Sequence, residues 1–190
     1  MSSAPRYSLR PVRWEDFSDL KETYFQLYDE RDSGEPIGIT LFGARPTLSD
    51  EVAWFDQFFR RVLDGDEIAW VAEVDGHAVA MCTIRRVGAG PASEQSHLGE
   101  LGILVRRSHR GTGLGTALFE RALADARTQF ELVYLSVFAV NERAQRLYQR
   151  FGFEVCGRFP RAVKRGAQYH DLLRMVLDFA KYPMPAEANR

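Results

Sequence analysis

The stretch Arg110-Gly111-Thr112-Gly113-Leu114-Gly115 constrains this chain more than any other. The run before its basic lead-in, Leu98 to Val105, is mostly apolar and reads as a strand. After it, Leu118, Ala122 and Ala126 fall on one face of a helix that begins at Thr112 or Thr116 and runs to Thr128. Three glycines in the connection let the backbone approach a ligand and take positive φ where needed. The start of the helix adds N–H groups without intrahelical partners and the positive end of a dipole. That combination suits a pyrophosphate, and Arg110 with its basic neighbours adds charge to it. Two nucleotide motifs fit poorly. A P-loop needs a lysine after the last glycine, and Thr116 stands there. A dinucleotide fingerprint needs Gly or Ala three residues after Gly113 and an acidic residue at the end of the next strand, but Thr116 holds the first position and Glu131 precedes that strand.

The rest of the chain alternates strand and helix signals. Tyr7 to Arg10 is a short strand, and Asp16 to Asp29 a helix. A long loop from Ser33 to Arg45 follows. Ser49 caps a second helix, whose apolar stripe is Val52, Phe55, Phe59 and Val62 and whose stop is Gly65. Ile68 to Val74 and Val79 to Val87 form a hairpin about Asp75-Gly76. Leu132 to Val137 is a continuous apolar strand, Asn141 to Phe151 a helix closed by Gly152, and Phe153 to Arg158 and Asp171 to Phe179 two last strands. The order predicts a mixed α/β sheet with helices on both faces, in which the strands at 98–105 and 132–137 are parallel neighbours joined by a right-handed crossover.

The chain has 190 residues, one ordinary domain, expected over 5–180 with flexible tails at 1–4 and 183–190. With 45% apolar and 27% charged residues it is globular, and a formal net charge of -1 argues against nucleic acid. Cys82 and Cys156 both sit in strand-like runs without metal spacing and are expected to be buried free thiols. No apolar segment has the length of a membrane span, so a cytosolic protein is expected, with neither metal nor membrane partner.

Leu101-Gly-Ile-Leu-Val followed by Arg110-x-x-Gly113-x-Gly115 resembles the acetyl-CoA motif of the GNAT superfamily of N-acetyltransferases. Asn141-x-x-Ala144-x-x-Leu147-Tyr148-x-x-x-Gly152-Phe153 resembles the superfamily's second signature, and Gly166 to Asp171 its tail. The resemblance is specific from about His97 to Phe179. It implies a GNAT-like, mostly antiparallel sheet of seven strands flanked by about four helices. It also implies acetyl-CoA as co-substrate, with the strand Ile103, Leu104 and Val105 along the pantetheine arm. The backbone N–H groups of Arg110, Gly111, Thr112, Gly113, Leu114 and Gly115 would hold the pyrophosphate, and Thr116 would extend that cradle or cap the helix. Asn141 and Tyr148 are placed near the sulfur.

Acetyl transfer needs a neutral amine, whereas an amine with a pKa of about 10.4 is roughly 99.9% charged at pH 7. A base must take that proton, and Glu100 is the candidate. The resemblance implies that a backbone N–H near Val105 faces the oxyanion and that Tyr148 protonates the leaving thiolate. The acceptor, a small molecule or a peptide, is expected between the loop Ser33 to Arg45 and the hairpin Phe159 to Tyr169, with Glu30, Asp32 and Glu35 drawing in a cationic amine. Two alternatives stay open: an acetyl-CoA-binding sensor without turnover, and transfer of another acyl group. Edge strands near the C-terminus make a homodimer compatible with the sequence.

Overall fold

The computed structural model describes residues 7–34, 37–88 and 90–182; both tails, and Glu35 and Pro36 of the long loop, lie outside the described residues. The elements are β1 (Ser8–Pro11), a 3-10 turn (Trp14–Asp16), α1 (Phe17–Asp32), α2 (Leu48–Leu63), β2 (Glu67–Val74), β3 (His77–Arg86), β4 (Leu98–Val105), a second 3-10 turn (Arg107–His109), α3 (Leu114–Ala126), β5 (Leu132–Phe138), α4 (Glu142–Arg150), β6 (Glu154–Arg165) and β7 (Gln168–Asp178). The strands form one seven-stranded sheet in the order β1-β2-β3-β4-β5-β7-β6. β4 and β5 are parallel, as a strand–helix–strand crossover requires, while β1–β2, β2–β3, β5–β7 and β6–β7 are antiparallel. Contacts divide the chain into two compact units, and the division falls inside β4, after Glu100. Among the described residues no helix is long and apolar enough to cross a membrane.

The first unit comprises Met1–Ile37, Leu41–Arg85 and Leu101–Ala126. Its core gathers Leu20, Phe55, Phe58, Val71 and Met81. The expected stripe of α2 is corrected here: Phe58 is fully buried, whereas Val52 is exposed. Capping explains part of the shift. Thr47, not Ser49, is the cap; its side chain accepts from Asp50 N–H, and the Asp50 carboxylate accepts from Thr47 N–H and Oγ1. Those hydrogen bonds hold the Asp50 carboxyl below the usual range. Trp14 meets Phe55 and Phe59 edge-on, and Trp54 stacks flat on Phe58. Asp75 and Gly76 both take positive φ, 50° and 81°, which makes the tight hairpin turn that matches strand twist.

The second unit comprises Gly38–Thr40, Arg86–Glu100 and Arg127–Arg190. β5 is flanked by the first half of β4, with Leu98, Gly99 and Glu100 opposite Leu132, Val133 and Tyr134, and by β7. The last hairpin is longer than its sequence pattern suggests. β6 runs on to Arg165 and β7 starts at Gln168, with Gly166 at positive φ between them. Irregular register hides the pairing from a period-2 pattern, since β6 shifts against β7 at Val155/Gly157 and at Phe159/Val163. Arg161, at φ 55°, donates its N–H to Asp171, which also accepts from Arg158 Nε. The basic stretch Arg158 to Arg165 is therefore largely engaged: Arg161 lies over the Tyr169 ring, and Arg165 lies over Phe138 and donates to the Ile39 carbonyl at 2.6 Å.

One expectation about the thiols is corrected. Cys82 is fully buried, but Cys156 is exposed, because it sits at the first register shift of β6, the strand at the end of the sheet order. Burial raises the Cys82 pKa far above that of a free thiol, which suppresses its thiolate. Iodoacetamide should therefore add one carbamidomethyl group to the native protein and two after denaturation, with peptide mapping placing the first on Cys156. Two fast additions to the native protein would contradict this burial.

Candidate functional site: an amide-lined turn after β4

The turn Arg110–Gly113 and the start of α3 lie in the first unit, and they are built from below by one ion pair. Glu30, near the end of α1, is only 2% exposed. Arg110 donates to it with both terminal nitrogens, at 2.7 and 3.0 Å, and its Nε donates to the Val105 carbonyl at 2.9 Å. The guanidinium thus ties the end of β4 to α1, the fork-like pairing for which arginine is suited. The Arg110 N–H is also used within the turn, donating to the Arg107 carbonyl at 3.2 Å. So within the structure Arg110 braces the turn, and Glu30 belongs to α1, where its carboxylate pairs with Arg110. Asp32 pairs with Arg31 at 2.8 Å, and Glu35 lies outside the described residues.

Above this strut the backbone turns twice through positive φ, at Gly111 (81°) and Gly113 (87°). An L-residue avoids that region at a cost of about 1–2 kcal/mol. The N–H groups of Gly111, Thr112, Gly113, Leu114 and Gly115 make no hydrogen bond among the described residues, whereas Thr116 and Ala117 donate back to the Gly113 carbonyl at 3.0 and 3.1 Å. α3 accordingly starts at Leu114, between the two expected starts, and the Thr116 amide belongs to its first turn. Thr112 Oγ1 braces the turn by donating to the His109 carbonyl. Space follows the same pattern. A Cβ at Gly113 would meet nothing within 4 Å, whereas one at Gly115 would sit 3.3 Å from Val105 Cγ2. Gly113 thus leaves the mouth of the turn open, and Gly115 lets α3 press onto β4. Five successive amides at a helix start fit the diphosphate of a coenzyme A thioester. Ile103, Leu104 and Val105 are half-buried on the strand that leads in.

The remaining expected residues belong to the second unit. Glu100 is half-buried on β4, in register with Tyr134. Asn141 caps α4: its Oδ1 accepts from Ala144 N–H at 3.2 Å. A Cβ built on Gly38 would lie 2.6 Å from Asn141 Nδ2, so the loop backbone passes close by the cap. Tyr148 is 9% exposed, and its ring packs against Phe153 at 6.1 Å. Sequence reasoning missed Glu30 as part of the turn's support. The signal was weak: one carboxylate 80 positions away in sequence from its partner.

Comparison with known proteins agrees with this fold. The acetyltransferase (GNAT) family profile matches residues 41–153. N-alpha-acetyltransferase 50 of Danio rerio is 33% identical over 107 residues, covering 55% of this chain and 61% of the relative. Spermidine N(1)-acetyltransferase of Escherichia coli K12 is 24% identical over 179 residues, covering 93% and 88%. Among solved structures, the Salmonella typhimurium protein yncA, a candidate acetyltransferase with its cofactor acetyl-CoA, superimposes with a TM-score of 0.73 at 20% identity, covering 96% of this chain and 99% of that one. The chain spans about three fifths (61%) of the length of the first curated relatives it matches. With the family profile spanning more than half of its residues, and a seven-stranded, mostly antiparallel sheet with four α-helices among the described residues, this chain belongs to the GNAT acetyltransferase family.

Proposed function

We propose that this chain transfers the acetyl group of acetyl-CoA to a primary amine, by direct attack while both substrates are bound. The observation that carries the proposal is the row of amides from Gly111 to Gly115, which have no hydrogen-bond partner among the described residues and sit at a helix start on an open turn. They hold the diphosphate, Ile103 to Val105 line the pantetheine arm, and Arg110 acts through the turn it braces. In the same proposal Glu100 takes the amine's proton, directly or through water. The nitrogen lone pair then attacks the thioester carbon, and the oxyanion is met by a main-chain N–H near Val105. As the tetrahedral intermediate collapses, the carbon–sulfur bond breaks and Tyr148 gives its phenolic proton to the thiolate. Asn141 stands near the sulfur. One cytosolic domain over 5–180 does this, without a metal. The relatives named for acetylation of N-alpha amines and of spermidine support an amine acceptor of this kind.

The test is a panel of primary amines scored by free-thiol release from acetyl-CoA. Release with at least one amine is expected. Tyr148→Phe should lower kcat by about 10²- to 10⁴-fold, as loss of a general acid does, while acetyl-CoA still raises Tm. Binding without release from any amine would mark a sensor. An unchanged kcat in Tyr148→Phe would remove that residue from the chemistry.

A further inference from the structure

One face of α1 carries Asp19, Thr23, Gln26 and Glu30, each three or four residues from the next, so that they stack along the helix. Thr23 and Glu30 are buried, at 1% and 2% exposure, and Gln26 is half-buried. All four meet the connection that leads from β4 into the amide-lined turn. Arg106 donates through Nε to Thr23 Oγ1 at 3.1 Å and through Nη2 to the Asp19 carbonyl at 3.2 Å, with the Asp19 carboxylate 3.7 Å from that nitrogen. The Arg107 N–H donates to Gln26 Oε1 at 3.1 Å, and Arg110 closes the row on Glu30. α1 is anchored in turn, since the Asp19 carboxylate accepts from the Ala78 N–H at 3.0 Å, at the start of β3. Buried polar groups cost free energy unless they are bonded, and apolar side chains would pack a helix on this connection without that cost. What directional bonds add is a fixed orientation for the groups they hold.

Gln26 holds the group with the longest reach. Its partner, the Arg107 N–H, shares a planar peptide unit with the Arg106 carbonyl, so fixing one aims the other. The Arg106 carbonyl accepts from the His109 N–H at 2.9 Å, and the His109 carbonyl accepts from Thr112 Oγ1 at 2.9 Å, inside the row of amides. The Arg107 carbonyl accepts from the Arg110 N–H, one residue before that row. We infer that Gln26 is a positioning residue for acetyl-CoA: through the 106–107 peptide unit it sets the direction of the amides from Gly111 to Gly115 before the cofactor arrives. The inference rests on the acetyl-CoA proposal, and it gives Gln26 no contact with the cofactor or the reacting atoms. A cradle aimed in advance spares the ligand the cost of ordering it. Without the Gln26 oxygen the Arg107 N–H turns to water, the peptide unit loses its fixed direction, and binding must restore it.

The experiment measures the Kd of acetyl-CoA by isothermal titration calorimetry, in the full chain, for the wild type, Gln26→Leu and Gln26→Glu. Gln26→Leu removes the acceptor and should weaken binding about 3- to 10-fold, the range that one neutral hydrogen bond supplies. Gln26→Glu keeps an oxygen acceptor at the same reach and should bind as the wild type does. With an amine that the wild type acetylates, the Gln26→Leu loss should fall on the KM for acetyl-CoA, with kcat at saturation unchanged. Should Gln26→Leu not fold, Gln26→Met takes its place, with the same length and only a weakly accepting sulfur. A purely structural role would lower the Tm of the free protein and leave Kd where it is. That result overturns the inference, as does a loss in Gln26→Glu equal to that in Gln26→Leu, or a fall in kcat at unchanged KM. If the wild type binds acetyl-CoA and the leucine variant binds it equally well, the inference fails and the cofactor proposal stands. If the wild type does not bind acetyl-CoA, both fail.

Discussion

Gly113→Glu removes the rise in Tm that acetyl-CoA gives the wild type. A ligand at a hundred times its Kd stabilises a protein by about 2.7 kcal/mol. For a chain of this size that is a shift of roughly 5–10 °C, at about 2–4 °C per kcal/mol. The variant loses it for two reasons. A side chain at residue 113 grows into the open mouth of the turn, where a Cβ meets nothing within 4 Å, and the glutamate brings negative charge to amides that await an anion. The positive φ of 87° adds a stability cost of about 1–2 kcal/mol whatever side chain is present. Gly113→Ala separates the two effects, since it carries the same backbone cost with little bulk and no charge. Differential scanning calorimetry with and without acetyl-CoA reads all three proteins. A full shift in Gly113→Glu would place the diphosphate elsewhere.

The second large effect is an asymmetry between the two ends of one ion pair. Arg110→Ala should cost about 3–5 kcal/mol, the penalty for leaving a buried charge without its partner, because Glu30 is 2% exposed and cannot reach water. Glu30→Ala should cost less, since the Arg110 side chain is 37% exposed and its guanidinium can rehydrate. The double variant Glu30→Leu/Arg110→Met removes both charges and should recover much of the loss. Urea denaturation of the four proteins measures these losses side by side. Equal losses for the two single variants would mean that the pair is no more than a surface contact.

The element order of this fold is legible in the sequence, because β4, β5 and α3 carry apolar runs of clear period and the Asp75-Gly76 turn has its own chemistry. The edges were harder. β6 is mostly exposed and β7 mostly half-buried, and the register shifts between them break the alternation on which a strand pattern depends. The amide-lined turn could be read from glycine spacing, yet the task of Arg110 could not. A sequence shows a cation beside a phosphate-like loop; only the fold shows that α1 brings Glu30 under it.

The close passage of Gly38 beside the Asn141 amide has a mechanical consequence. The loop backbone at 38 and the side-chain amide of Asn141 leave no room between them for a methyl group as they stand. A side chain at 38 therefore displaces the Asn141 amide, whose Oδ1 caps the helix that carries Tyr148.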